Sequence, residues 1–334
     1  MMAAMFLAAL CLFSACALDN GNQNPNTSTD IEMEIALPDA NGEIRSGYYQ
    51  GNYIEYEAVG GRAIYHFDIV LDESDISNTP PITKSSRGTG RTYNPSRWFN
   101  RTVYWHFDSS FTETANAEAA IEYYNDMGLT FVELANPNPQ NDNYIDFIYI
   151  SQDEGYWSSD IGKKGGKQQI HLAKGYGLGT ALHEIGHALG LWHENSRSDR
   201  DSNLIIDWAN IRSGKEHNFY TYSENNSDGF DYKNFDWMSI MLYHSYSFAI
   251  DKGNPTITRS DGTIYGTQRD ALSAGDMKTL YRMYPLSGYT CMEAVRYDED
   301  QFDFYYVNGS GFVEHYFNTH QQYWGGPYQV NEEK

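Results

Sequence analysis

The run HEIGHALGLWHE, from His183 to Glu194, limits what this chain can be more than any other stretch. His183 and His187 are four residues apart, and the residues between them are compatible with a helix. On a helix that spacing puts both imidazoles on one face, a turn apart, so that they can bind one ion from the same side. Glu184 adjoins His183 without sharing that face, where a carboxylate can reach a water held by the metal. Gly190 stops the helix, because glycine tolerates the left-handed conformation that reverses the chain. Three residues later His193 can swing back as a third ligand. Three neutral nitrogens leave a fourth position open, which is the layout of a catalytic rather than a structural zinc site. A bare HExxH arises by chance often enough to be discounted, but Gly190 and His193 in register with it do not. A decayed, inactive site is the sterner alternative, and the presence of Glu184 argues against it.

Charge and cysteine usage narrow the setting. The 334 residues carry a formal net charge of -22, which repels phosphate backbones, so nucleic acid is not an expected partner. Residues 1–15, MMAAMFLAALCLFSA, are apolar and too short to span a bilayer, so they read as a secretory signal. Phe13-Ser14-Ala15-Cys16 resembles a bacterial lipobox, although Phe13 stands where Leu is usual and no basic residue precedes the apolar run. The expectation is a lipid anchor at Cys16 as the sole membrane attachment, on an outer-membrane or extracellular protein. An ordinary cleaved signal is the other reading. Only Cys291 lies in the body of the chain, so no internal disulfide framework is expected.

Organisation follows from composition shifts. Residues 16–30 are polar and Asn-rich, a tether. Residues 31–93 comprise short alternating runs, among them Gly51 to Tyr56 and Ala63 to Phe67, then a breaker-rich linker holding Arg87 and Arg91. Residues 94–285 carry the main domain. Strands are expected at Thr102–Phe107, Thr130–Leu134, Ile145–Ile150 and Gln168–Leu172, and helices at Ala115–Met127 and from Ser273, its cap, to Tyr284. Residues 286–334 are rich in Tyr and Gly and suggest no chemistry.

HEIGHALGLWHENSRSDRD resembles the signature of the astacin family of metzincin metallopeptidases, the match running on through Arg197, Asp199, Arg200 and Asp201. Phe235 to Tyr243, FDWMSIMLY, is similar to that family's Met-turn, with Leu242 in place of the usual His. Gly266 to Tyr284 is similar to the end of its catalytic domain. The absence of the disulfides of animal members suggests a bacterial branch. The resemblance implies an α+β, two-lobed metzincin fold, with a twisted, largely parallel mixed sheet, an active-site helix and a loop-rich lower half. It implies one zinc per chain on His183, His187 and His193, with Glu184 as base. Met241 would floor the metal, and Tyr243 would be a displaceable ligand and oxyanion donor. It implies hydrolysis of internal bonds in extracellular or surface proteins by a monomer.

Four further expectations rest on the same likeness. Phe67-Asp68-Ile69-Val70-Leu71 is the best match to the pro-segment that keeps the family latent, with Phe67 where Gly is usual; Asp68, chosen among the nearby Asp72, Glu73 and Asp75, would then sit on zinc until the linker is cut. Glu194 would anchor the new amino terminus. Asp199 and Arg200 would form a structural ion pair. The strand Gln168–Leu172 is expected at the sheet edge, where an extended substrate can pair. The rival class is a surface adhesion or glycan-binding lipoprotein acting through the tail aromatics Tyr305, Tyr306, Phe312, Tyr316, Tyr323 and Trp324. Such a protein has no use for Glu184.

Overall fold

The computed structural model describes residues 34–79 and 96–284, except 51, 152–154, 159, 226, 228 and 233, together with the backbone of four strands between 289 and 329. Cys16, Arg87 and Arg91, and with them the expected anchor and cleavage sites, lie outside the described residues.

The N-terminal part is an antiparallel meander of β1 (Glu43–Tyr49), β2 (Asn52–Val59), β3 (Arg62–Tyr65) and β4 (Ile69–Asp72). The main domain supplies β5 (Thr102–Phe107), β6 (Thr130–Glu133), β7 (Tyr144–Ile150), β8 (Trp157–Ser158) and β9 (Lys167–Ala173). All nine join one sheet in the order β1-β2-β3-β4-β8-β9-β7-β5-β6. β5, β6, β7 and β9 run parallel, and β8 runs antiparallel to β9. Strands with both faces covered read as near-continuous apolar runs, as Tyr144–Ile150 does apart from Asp146.

Helix α1 (Ala115–Asp126) buries Ala117, Ala120, Ile121 and Tyr124. Against it lies α2 (Leu178–Leu189), in which every residue after Leu178 is buried. A helix apolar all round belongs inside a domain, and its few polar side chains then need a purpose. Beyond α2 the chain is loop-rich, with short 3-10 turns and the small pair β10 (Leu204–Ile206) and β11 (Ile257–Arg259). It closes with α3 (Ala274–Met283), where Ser273 and Asp276 form a reciprocal capping box. Strands β12 (Tyr289–Arg296), β13 (Phe302–Asn308), β14 (Phe312–Asn318) and β15 (Gln322–Gln329) form a separate antiparallel sheet. No helix among the described residues is long and apolar enough to cross a membrane.

One expectation is corrected here. Gln168–Leu172 is a strand but not an edge, because β7 pairs with one side of β9 and β8 with the other. The margin of the main domain is β8, and β4 is added to it through Ile69 opposite Ser158, with the Ser158 N–H donating to the Asp68 carbonyl at 2.9 Å. Residue periodicity reveals a strand and not its neighbours, and a two-residue strand has no period to read.

Candidate metal centre and active site

α2 delivers His183 and His187 to one point. The His183 Nδ1–H donates to the Ile240 carbonyl at 2.9 Å, and the His187 Nδ1–H to the Leu191 carbonyl at 2.8 Å. A carbonyl can only accept, so these bonds fix the tautomers and leave each Nε2 lone pair facing inward. Gly190, at φ 110°, ends the helix in the left-handed region and turns the chain back towards His193. The three Nε2 atoms stand 3.1 to 3.3 Å from one another.

Below them runs the segment of Met241. Its carbonyl accepts the Glu194 N–H at 3.0 Å, tying it to the residue after the third histidine. A Cβ on Gly186 would meet the Met241 sulfur at 3.3 Å, so glycine is what lets the turn approach the helix. Asp276 holds this segment by accepting from the Ser239 hydroxyl at 2.6 Å and the Ile240 N–H at 2.9 Å. Burial and the neighbouring Asp236 push its pKa up to about 6. Ser273 was legible as the helix cap, but the part of Asp276 in that cap and at the Met-turn was not.

Asp68 occupies the centre of the triad. Its Oδ2 lies 3.0 Å from His183 Nε2 and 3.1 Å from His193 Nε2, and its Oδ1 lies 3.3 Å from His187 Nε2. The turn that presents it is strained: His66 (φ 48°) and Phe67 (φ 71°) are consecutive non-glycine residues in the left-handed region. Such residues cost on the order of 1–3 kcal/mol each. The Phe67 ring is 2% exposed. Burying a ring of that size contributes about 1.5–3 kcal/mol, which offsets much of the strain at its own position. The ring centroid of Phe67 is 3.8 Å from that of Tyr243 and 4.1 Å from that of Phe248.

Glu184 is fully buried beside the triad, and neither carboxylate oxygen has a hydrogen-bond partner among the described residues. Burial, and then the charge of Asp68, pushes its pKa well above the ordinary carboxyl range. The Tyr243 hydroxyl is likewise buried and without a partner among the described residues, with its ring 4.5 Å from that of His193. Burial drives the pKa of His193 down to about 3 and lowers that of His187, so both stay neutral and able to ligate.

The remaining expected residues divide. Glu194 is buried; its Oε1 accepts the Asp236 N–H at 2.7 Å and faces Arg197 at 3.4 Å, and burial lifts its pKa to about 8 against both pulls. The expected Asp199–Arg200 pair does not form. Asp199 instead takes two bonds from Arg197, at 2.8 and 2.9 Å, while Arg200 pairs with Asp201 at 2.8 Å. The 3-10 turn at Arg200–Ser202 points consecutive side chains apart, so the residue two back is the one that Asp199 meets. Sequence reasoning also missed Glu34, which pairs with Arg269 at 2.8 Å across 235 residues, and Asn218, whose Oδ1 accepts the Phe67 N–H at 2.8 Å.

The model of the Astacin peptidase family matches residues 90–285. The chain belongs to the astacin family. Among curated astacin relatives, Protein SpAN of Strongylocentrotus purpuratus is 33% identical over 58% of this chain and 32% of its own length. Zinc metalloproteinase nas-4 of Caenorhabditis elegans is 32% identical over 58% of this chain and 60% of its own length. Flavastacin of Elizabethkingia meningoseptica is 31% identical over 61% of this chain and 46% of its own length. The chain thus spans from about a third to three fifths of these relatives. A solved structure, high choriolytic enzyme 1, a hatching-enzyme zinc protease of Oryzias latipes, is 28% identical over 56% of this chain and 92% of that one, at a TM-score of 0.48.

The astacin-type centre suits one zinc. Asp68, His183, His187 and His193 each aim one ligand atom into a space where all four atoms lie within 4.8 Å. Nitrogen and carboxylate oxygen are the donors that zinc takes in tetrahedral sites. Two inward lone pairs, a third imidazole Nε2 and a carboxylate converge here in a buried site, a donor set that a cation satisfies.

Proposed function

We propose that this chain is a zinc endopeptidase of a bacterial astacin branch, cutting internal peptide bonds of extracellular or surface proteins and made as a latent precursor. What carries the reading is Glu184: a buried carboxyl whose two oxygens find no partner among the described residues, set beside three converging imidazole Nε2 atoms. A structural zinc site has no need of such a group.

His183, His187 and His193 would hold the metal, the Nδ1 bonds of the first two keeping their lone pairs aimed. When bound, zinc lowers the pKa of water on its open position and polarises a carbonyl. Glu184 takes the proton from attacking water and passes it to the leaving amine. Tyr243 donates its hydroxyl proton in a hydrogen bond to the oxygen that gains charge. The apolar surroundings of both groups keep competing water away and strengthen these contacts.

In the precursor, Asp68 fills the position that water needs, and β4 lies along β8, the margin where an extended peptide would add as a strand. Residues 31–93 are therefore read as pro-segment and linker, 94–285 as the peptidase, and Cys16 as a lipid anchor on a monomer. Cutting near Arg87 or Arg91 would free an amino terminus that Glu194 can pair with.

The decisive test uses the full chain cut in its linker. Glu184→Gln should keep about one zinc per chain and lose about 10³-fold or more of the peptide turnover, within the range that acid–base groups contribute. Full turnover in that variant would remove Glu184 from the mechanism and the mechanism with it.

A further inference from the structure

Phe67 holds a backbone conformation that glycine adopts freely and phenylalanine does not. Its side chain must therefore contribute something that a glycine at this position cannot. The ring does not lie against its own segment. It enters a recess walled by Tyr243, Phe248 and Phe219, with centroids 3.8, 4.1 and 6.2 Å away, all from the loop-rich half beyond His193. The Phe248 wall is backed by the guanidinium of Arg212 at 4.9 Å and the ammonium of Lys215 at 5.6 Å. The main chain is gripped as well: the Phe67 N–H donates to Asn218 Oδ1 at 2.8 Å, a contact with backbone that does not depend on which side chain is present.

The next residue, Asp68, stands at the metal position, so this ring sits one residue from where a scissile carbonyl must lie. We infer that Phe67 stands in for a substrate side chain, and that Phe219, Tyr243 and Phe248 form a subsite for an aromatic residue flanking the scissile bond. The inference rests on the endopeptidase reading above and adds a substrate preference to it. When the segment carrying Phe67 leaves, a flat apolar recess opens with rings on three sides. Edge-to-face and tilted contacts, which Phe67 makes here, are those an aromatic guest would make in turn. A small residue would leave the recess partly unfilled, and a charged one would lose water without gaining a partner from these rings.

The test again uses the full chain cut in its linker and loaded with zinc. Peptides differing at single positions around the cut, with Phe, Ala or Asp, should show kcat/KM about tenfold or more higher for Phe than for Ala at one flanking position. Phe248→Ala should reduce that ratio to about threefold or less. A second measurement needs no variant: the peptide IYHFDIVL, which copies residues 64–71, should inhibit the cut wild-type protein about tenfold more tightly than the same peptide with Gly in place of Phe. Brisk cleavage with a flat profile, a preference for Asp at that position, or equal inhibition by the two peptides would overturn the subsite and leave the endopeptidase reading standing. No cleavage of any peptide would overturn that reading and the subsite together.

Discussion

His183, His187 and His193 reach the metal position by a different kind of support from Asp68. Two of the histidines ride one buried helix, each with its Nδ1 on a main-chain carbonyl, and a left-handed glycine returns the third. Asp68 arrives on a strained turn, held by contacts between residues 34–79 and the main domain. Among these are Glu57 with Lys215, Glu34 with Arg269 at 2.8 Å and Asp75 with Lys164 at 2.6 Å. The first kind of support lasts as long as the core does. The second consists of side-chain pairs, the Ile69–Ser158 register, an Ala36–Gly155 bridge and apolar packing of the N-terminal strands on Ile161, Trp192 and Tyr222, none of which holds the histidine Nδ1 atoms. Two differently supported ligand sets thus meet in the same few ångströms, and their difference is what the proposed latency requires.

The contrast predicts that damage to each half is felt in a different form of the protein. Tyr243 belongs to the permanent half, and its hydroxyl has no partner among the described residues while Phe67 lies against its ring. In the cut chain, Tyr243→Phe should lower kcat about 10²- to 10³-fold with little change in KM, the scale of one lost oxyanion donor. The uncut chain should not register the change. An effect confined to KM would make Tyr243 a substrate-binding group and break the comparison at that residue.

Asp68 belongs to the removable half, and the expectation reverses. Asp68→Ala should raise peptide turnover of the uncut chain about tenfold, since water then has access to the metal. It should stay well below the cut chain, because Phe67 and β4 still cover the cleft. Assaying the uncut variant beside the cut wild type decides this. Equality would make the carboxylate the entire block, and no rise at all would remove it from latency.

Legibility in the sequence follows the same division. The permanent half was readable because helix geometry turns spacing directly into position: four residues apart means one face, and glycine three before a histidine means a return. The strand and helix positions were readable for a similar reason, as periodicity is local. What failed was non-local. β9 reads as a strand, yet its neighbours depend on Trp157–Ser158, which is too short to show a pattern. Arg197 took Asp199 because the adjacent side chains of Asp199 and Arg200 point apart at the start of the 3-10 turn. Glu34 with Arg269, and Phe67 with its three rings, join segments that no spacing rule connects. Asp68 could be singled out among nearby acids only through resemblance.

The smallest expected effect concerns pH and the removable half alone. His217 lies in the main domain, facing Glu57 of β2, His66 beside Asp68, and Lys215. Burial, helped by Lys215 and opposed by Glu57, pushes its pKa down to about 4. An exposed histidine titrates near 6.5, so above that pH the ring is neutral whether the N-terminal strands are docked or gone. Between 6.5 and 4 the released state binds a proton that the docked state refuses, and docking must weaken as pH falls. One pH unit inside that window limits the effect of one histidine to about tenfold. Retention of a fluorescently labelled N-terminal piece by the cut chain should therefore drop about threefold to tenfold between pH 7 and pH 5.5. Retention also feels the histidines that face Asp68 and the buried His66, so the His217 variant, not the label alone, isolates the share of His217. His217→Gln should remove at least half of the slope. Equal retention at both pH values, or an unchanged slope in the variant, would mean that His217 keeps its burial after release and takes no part in docking.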